Sequence, residues 1–259
     1  MKTANSIRLK AKEEIEILRE AGKILASIVQ ELKRSLKSGI TTKEIDAKAE
    51  ELMAAYKVRP AFKGYRGFPG SVCLSVNEEV VHGIPGPRVL NEGDIVSLDV
   101  GLVHNEYYSD TAVTVGIGKV DAELQRLLEK TEQSLYQGIK QAKVDNHLSD
   151  ISHAVQSFVE ANHFSVVREF VGHGIGKNLH EEPEVPNFGP PHCGPVLKEG
   201  MVLAIEPMVN LGGWQTRIKE DGWTVVTTDG KPSAHFEHTI VITKAGPEVL
   251  TQECPRKIL

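Results

Sequence analysis

The sequence predicts an α+β protein built from two matching halves folded against each other. Three observations carry this. Residues 91–99 read Asn-Glu-Gly-Asp-Ile-Val-Ser-Leu-Asp and residues 198–206 read Lys-Glu-Gly-Met-Val-Leu-Ala-Ile-Glu, so each runs Glu-Gly, then an apolar stretch, then a carboxylate, Asp99 or Glu206. A second carboxylate follows each, Asp110 and Glu237, at the start of another β-rich run, Thr111 to Val115 and Thr239 to Ile242. Each strand-rich part follows two helix-like segments, and a His-Gly-Ile triplet, at His82 and at His173, precedes each acidic set. The halves are expected at about 12–118 and 120–250, forming one domain over 1–259 with no flexible linker.

The elements follow in order. Ile15, Leu18, Ala21, Leu25, Ile28, Val29, Leu32 and Leu36 recur at helical spacing over 12–37, and Gly39 is a stop. Thr41 followed by Glu44 is a capping box for a second helix to about Tyr56. Residues 57–70, rich in Gly, Pro and aromatics, predict a loop. Val72, Leu74 and Val76 alternate as in a half-buried strand, and a strand is expected over 94–103. Asp121 caps a helix to about Ala142, and Ser149 caps another to about Asn162. His173, in Val-Gly-His-Gly-Ile-Gly, is expected in a loop. Residues 181–195, with five prolines, are expected to form an ordered loop rather than an element.

Bulk composition narrows the class. Hydrophobic residues at 40% and charged residues at 25% are ordinary for a soluble globular chain. A net charge of -5 gives no electrostatic reason to expect nucleic acid as the main ligand. Three cysteines, Cys73, Cys193 and Cys254, argue against a disulfide framework and fit a reducing compartment. The start, Met-Lys-Thr-Ala-Asn, leads into a charged amphipathic segment, and no apolar run is long enough for a signal h-region or a bilayer span. A cytoplasmic protein is expected.

The chemistry lies in the acids. Asp99 and Glu206 each end an apolar run where a strand would ordinarily carry another apolar residue. If the hairpin after Asp99 turns on His104-Asn105, position 99 faces 110, with Cβ atoms about 5 Å apart. Two like charges there repel, and a shared divalent cation turns that repulsion into binding energy. A solvated pair on a surface hairpin is the competing reading; the apolar neighbours Ile95, Val96, Leu98 and Val100 argue against it. For Glu206 the alternative is a buried salt bridge, for Glu237 an exposed strand position, and for His82 and His173 hydrogen-bonded spectators. Together, four carboxylates and an imidazole suit Mn, Fe(II), Co or Zn at a pair of sites better than a structural zinc. Two such ions generate a hydroxide near neutral pH and clamp a tetrahedral intermediate, so hydrolysis of an amide or ester is the natural reaction class.

Five motifs, Val76 to Pro85, the hairpin from Leu98 to Thr111, Gly172-His173-Gly174-Ile175-Gly176, Ile205-Glu206-Pro207-Met208 and Phe236-Glu237-His238-Thr239, together resemble the type I methionine aminopeptidases in order and spacing over nearly the whole chain. The resemblance implies the pita-bread fold of two pseudo-symmetric α+β halves, with an antiparallel β core covered by helices. It implies that Asp99 holds one of two divalent ions, that Asp110 and Glu237 bridge both, and that His173 and Glu206 hold the second. Glu206 would also accept the proton of the water bridging the ions, and the resulting hydroxide would attack the first peptide bond. His82 and His180 would contact substrate, with His180 near the scissile amide; the bland alternative for His180 is a loop histidine capping the acids after it. Tyr65, Phe68, Cys73, Leu179 and Trp223 would line an apolar methionine pocket, where thiol and rings suit a thioether; an ordinary core position competes for Trp223. Leu179 and Phe62 depart from common bacterial patterns, as does Phe68 where Tyr is common, and these would reshape the pocket rim.

The implied substrate is the N-terminal methionine of nascent polypeptides whose second residue is small. The implied enzyme is a cytoplasmic monomer, with ribosome contact as a further expectation. Only 33 positions separate His173 from Glu206, and 31 separate Glu206 from Glu237, which leaves no room for the helical insertion of type II enzymes. No Cys/His-rich extension precedes the catalytic region, so a compact bacterial form is expected. Two rivals remain. An X-Pro aminopeptidase or proline dipeptidase shares the ligands but usually carries a large N-terminal domain. A metal-free pita-bread binding module would lack one or more ligands.

Overall fold

The computed structural model describes residues 7–252. The opening residues Met1–Asn5 and Cys254 lie outside them. The helices are α1 (Lys12–Ser35), α2 (Thr42–Ala55), α3 (Ala122–Gln141) and α4 (Leu148–Ala161). The strands are β1 (Arg59–Pro60), β2 (Cys73–Val76), β3 (Glu79–Val81), β4 (Ile95–His104), β5 (Tyr107–Gly116), β6 (Ser165–Val166), β7 (Gly172–Gly174), β8 (Glu181–Val185), β9 (Val202–Ile205), β10 (Met208–Asn210), β11 (Thr216–Ile218), β12 (Val225–Thr227), β13 (Ser233–His235), β14 (His238–Thr243) and β15 (Gly246–Val249).

α1 buries Leu18, Ala21, Leu25, Ile28, Val29 and Leu32, the helical stripe of the sequence. It stops at Ser35, slightly before the expected end, because Leu36 is already extended. At α2 the capping box forms in both directions: Glu44 N–H donates to Thr41 Oγ1 at 3.2 Å, and Thr41 N–H donates to Glu44 Oε2 at 2.8 Å. Asp121 caps α3 by accepting from Leu124 N–H at 2.8 Å. The cap of α4 is His147 rather than Ser149. Asp150 reaches back to His147 N–H at 2.8 Å and so starts the helix two residues early. Ser149 then sits in the first turn, and its hydroxyl accepts from Cys193 N–H at 2.7 Å.

All strand pairs are antiparallel, among them a sheet of β1-β4-β2 with β5 on β4 and a sheet of β15-β14-β9-β7-β8. Helices α1 and α2 pack with β2 and β4 around Leu25, Ile28, Leu74 and Leu98, while α3 and α4 pack with β9 and β14 around Leu135, Val155, Leu203 and Ile240. β3 pairs with β12, so a strand from before α3 joins one from after α4. β2 is buried throughout rather than half-buried. Leu74 and Val76 face the helices, whereas Cys73 joins the aromatic cluster of Phe62 and Phe68, so neither side is left to water.

Two segments expected as loops contain strands. Gly172–Gly174 is β7, and Glu181–Val185 within the proline-rich stretch is β8. Their pairing, with His173 opposite Glu184, uses the backbone between prolines, where N–H groups remain free to join a ladder.

The β4–β5 hairpin turns one residue later than expected, on Asn105-Glu106. Both have positive φ, 47° and 65°, as a two-residue type I′ turn requires. His104 therefore pairs with Tyr107, Gly101 faces Asp110, and Asp99 faces Ala112. Moving the turn by one residue shifts the pairing by two, so Asp99 and Asp110 stay on one face as diagonal neighbours instead of directly opposed.

The Thr41 cap links sequence and fold most directly. Thr41→Ala is expected to lower stability by about 1 kcal/mol in urea unfolding with the slope unchanged; an unaltered midpoint would show that the cap carries no stability.

Candidate metal centre

Each acid reaches the site by a different local route. Asp99 projects from the middle of β4, opposite Cys73 of β2. Asp110 projects from the same face of β5. Glu206 follows the last residue of β9, and Glu237 lies between β13 and β14. Three threonines sew these elements together. Thr239 Oγ1 accepts from Asp110 N–H at 3.2 Å and donates to Asp110 C=O at 2.7 Å. Thr111 Oγ1 donates to Glu237 C=O at 2.6 Å, and Glu237 N–H donates to Ala112 C=O at 2.9 Å. Thr114 Oγ1 accepts from His235 N–H and donates to His235 C=O, both at 2.8 Å. The backbones of β5 and of 235–239 are thus fixed side by side, which brings Asp110 and Glu237 together.

His173 stands in β7 between two glycines that have no room for side chains. A Cβ on Gly172 would lie 2.4 Å from Ala204 C=O, and one on Gly174 would lie 2.3 Å from Glu182 C=O. The flanking glycines therefore let β7 lie against β8 and β9 while the imidazole enters the site. His173 Nδ1 lies 2.9 Å from Gly174 C=O; donating there assigns the proton to Nδ1 and leaves Nε2 as a free lone pair, 3.6 Å from Glu206 Oε1.

Ligand atoms of Asp110, His173 and Glu237, all buried, lie within 4.8 Å of one another. Asp99 and Glu206 act electrostatically on the same acids, and Glu206 touches His173. Asp99 Oδ1, Asp110 Oδ1 and Glu237 Oε1 are buried without a hydrogen-bond partner. Ionised carboxylates that close repel by roughly 3 kcal/mol per pair at an effective dielectric of about 20. Burial first, then the neighbouring acids, pushes Asp110 and Glu237 well above the usual carboxylate range. Burial likewise raises Asp99 to about 7 and Glu206 to about 8. Orphaned acceptors, acids resisting ionisation and one imidazole lone pair are what a divalent cation satisfies, and oxygen donors with one nitrogen suit a first-row ion.

Every residue assigned from sequence borders one cavity of about 290 Å³: Asp99, Asp110, His173, Glu206 and Glu237 on one side, His82, His180, Tyr65, Phe68, Cys73, Leu179 and Trp223 around the rest. Phe68 and Trp223 meet edge to face with centroids 5.2 Å apart. Burial lowers His82 to about 4, and its ring stands edge-on to Phe170. His82 follows β3 with a φ of 58°, so it is not the structural counterpart of His173 that the repeated triplet suggests. His180 packs against His173 with centroids 4.3 Å apart and the rings tilted by 58°, and its Nδ1 lies 2.8 Å from Tyr65 Oη. Its segment is anchored by a buried ion pair, Lys10 Nζ to Glu181 Oε2 at 2.8 Å.

Sequence reasoning passed over Phe170 and Arg66, which also line the cavity, and His235 behind it. Phe170 and Arg66 carry no pattern that marks them. His235 had one signal, its place two positions before Glu237.

Residues 16–244 match metallopeptidase family M24. The chain belongs to that family. It is similar to Methionine aminopeptidase 1 of Bacillus subtilis (strain 168), 55% identical over 94% of this chain and 98% of the relative, and to Methionine aminopeptidase of Clostridium perfringens, 54% identical over 95% and 98%. Among solved structures it is similar to methionine aminopeptidase from Thermotoga maritima, with a TM-score of 0.94 and 47% identity over 96% of this chain and 100% of that one. Prolidase from Pyrococcus furiosus, 24% identical with a TM-score of 0.78 over 95% of this chain and 66% of that one, shares the fold. The M24 chain is thus of the bacterial methionine aminopeptidase type, has the α+β pita-bread fold, and uses divalent metal.

The raised acids have a consequence for the metal-free protein. Carboxylates ionise near 4 in an unfolded chain. Folded values above that mean the native state holds protons more tightly, so this stability is complete below about pH 4 and is lost as pH rises through 7 and 8. The buried His82 and His173, lowered to about 4 and about 3, act the other way, but only as pH falls below about 6.5. Calorimetry of chelated protein should therefore show Tm falling between about pH 6.5 and 8.5, and excess Mn(II) should remove most of that fall. A Tm independent of pH over this window would contradict the raised values.

Proposed function

We propose that this chain removes the N-terminal methionine from polypeptides by metal-dependent hydrolysis of the first peptide bond. The observation that carries the reading is the shared cavity: buried, unpaired carboxylates and an imidazole form one wall, and rings and a thiol form the others. Two divalent ions, from among Co, Mn, Fe(II) and Zn, fit the donor set. Asp99 would hold one, Asp110 and Glu237 would bridge both, and His173 with Glu206 would hold the second. When bound, such ions polarise the scissile carbonyl and lower the pKa of water.

The chain's own residues supply the rest. Tyr65, Phe68, Cys73, Leu179 and Trp223 receive the methionine side chain; sulfur and ring edges give a thioether polarizable contacts. Glu206 accepts the proton of the attacking water and passes it to the leaving amine. His180 is held through its Nδ1 by Tyr65 Oη, and a donating Nε2–H would stabilise charge on the carbonyl oxygen. Burial lowers the proton affinity of His180 and His82, so both act as neutral hydrogen-bonding groups near pH 7. The 60–70 segment and His180 wall the space beyond the scissile bond, which favours a small second residue. Phe62, Phe68 and Leu179 shape its rim.

The single catalytic domain, with halves at about 12–118 and 120–250, acts as a cytoplasmic monomer on nascent chains, with the ribosome as a partner. Among the described residues no helix is long and apolar enough to cross a membrane.

Asp99→Asn and Glu206→Gln are each expected to lower kcat/KM on Met-Ala-Ser by about 100-fold or more with the circular dichroism spectrum retained; near-wild-type turnover in either would remove the role given to that residue. Chelated protein reconstituted anaerobically with Fe(II), Mn, Co and Zn in turn should regain activity on Met-Ala-Ser, exceed its rate on Met-Leu-Ser, and leave Gly-Pro nearly uncut. A preference for Gly-Pro would replace methionine removal with a dipeptidase reading.

A further inference from the structure

Among the described residues, His235 is the histidine whose two ring nitrogens are both buried without a hydrogen-bond partner. The residue is 2% exposed. Its backbone is fixed on two sides. Thr114 Oγ1 bonds both its N–H and its C=O at 2.8 Å, and it pairs with Met208, two residues after Glu206. The ring therefore has little freedom to move toward another partner. Its Nε2 lies 3.5 Å from Glu206 Oε2, while His173 Nε2 lies 3.6 Å from Glu206 Oε1. Two imidazoles thus bracket one carboxylate. They are not equivalent: His173 borders the cavity and His235 does not.

A buried neutral imidazole carries one N–H and one lone pair, and leaving the N–H unused is costly. A carboxylate that binds an ion needs its orientation held by groups behind it. We propose that His235 is a positioning residue, whose Nε2–H donates to Glu206 Oε2 and turns Oε1 toward His173 and the cavity. This rests on the reading that Glu206 holds a metal and moves the proton. His235 itself touches neither substrate nor ion.

The test compares His235→Gln, His235→Asn and His235→Leu with the wild type. Each chelated protein is titrated with Co(II), followed by visible absorbance and calorimetry; a metal-free thermal melt and kcat/KM on Met-Ala-Ser accompany each titration. The Leu and Asn variants should bind Co(II) about 10–100-fold more weakly. Gln carries an amide N–H about as far from the backbone as the imidazole Nε2 and should restore most of the affinity; Asn is too short. If Leu does not fold, the Gln and Asn pair decides. Wild-type Co(II) affinity in Asn and Leu overturns the proposal, as does equal weakness in Gln and Asn, which would mark a packing role. If the wild type takes up no Co(II), the metal-centre reading falls and this one with it; uptake by the wild type and by all variants alike overturns this one alone.

Discussion

Like charges buried at a seam dominate this molecule. Asp110 comes from the hairpin that follows α2, and Glu237 from the strands that follow α4, yet their oxygens share one buried space with His173. Nothing in the packing of either helix pair demands this. It is imposed by Thr111, Thr114 and Thr239, whose hydroxyls bond across from one backbone to the other and hold the acids together against their repulsion. Hydrophobic burial provides the force that makes this tolerable. Leucines and valines of two separate cores flank the seam, and the acids occupy the gap between them. A cation then converts the least favourable part of the fold into its centre of function.

Around that centre, rigidity is unevenly arranged for a reason. β7 can thread between β8 and β9 only because Gly172 and Gly174 have no side chain, and this sets where His173 enters. His180, by contrast, belongs to a segment tied down by one buried ion pair between Lys10 and Glu181 and by Tyr65. Asp99, Asp110 and His173 therefore stand on paired strands and Glu206 and Glu237 at strand ends, whereas the rest of the cavity wall lies partly on connecting segments. Strands hold a donor atom within the tight limits an ion needs, whereas connecting segments can vary to suit a substrate. Cys73 and Asp99 meet at the junction, as opposed residues of β2 and β4, so a thiol that lines the cavity is one pairing step from an acid.

Several features were legible because they depend on neighbours in sequence. The Thr41–Glu44 box, the Asp121 cap and the stripe of α1 were read and are present. Ser149 is not the cap of α4, because Asp150 reaches back to His147 N–H and starts the helix there. The hairpin was placed one residue early because Asn105 and Glu106 both adopt positive φ, a state that Glu rarely takes and its letter does not announce. The error kept Asp99 and Asp110 on one face, since strand periodicity preserves parity under a shift of two. The sequence of β7 and β8 predicts loops because glycines and prolines mark turns in isolation; only the partner strands supply the reason for extended backbone there.

By itself, the sequence determined the class of fold, the helices, the caps of α2 and α3, and a set of side chains that border one cavity, because amphipathic spacing and an acid ending an apolar run are local facts. Tertiary structure supplied the geometry by which Asp110 meets Glu237 and His173, rather than His82, turns a free nitrogen toward the acids, as the resemblance implied, and it alone placed His235 behind Glu206. Those relations join residues up to 129 positions apart through threonine hydroxyls and strand pairing. No local pattern encodes such distances; they exist only once both cores have closed around the seam.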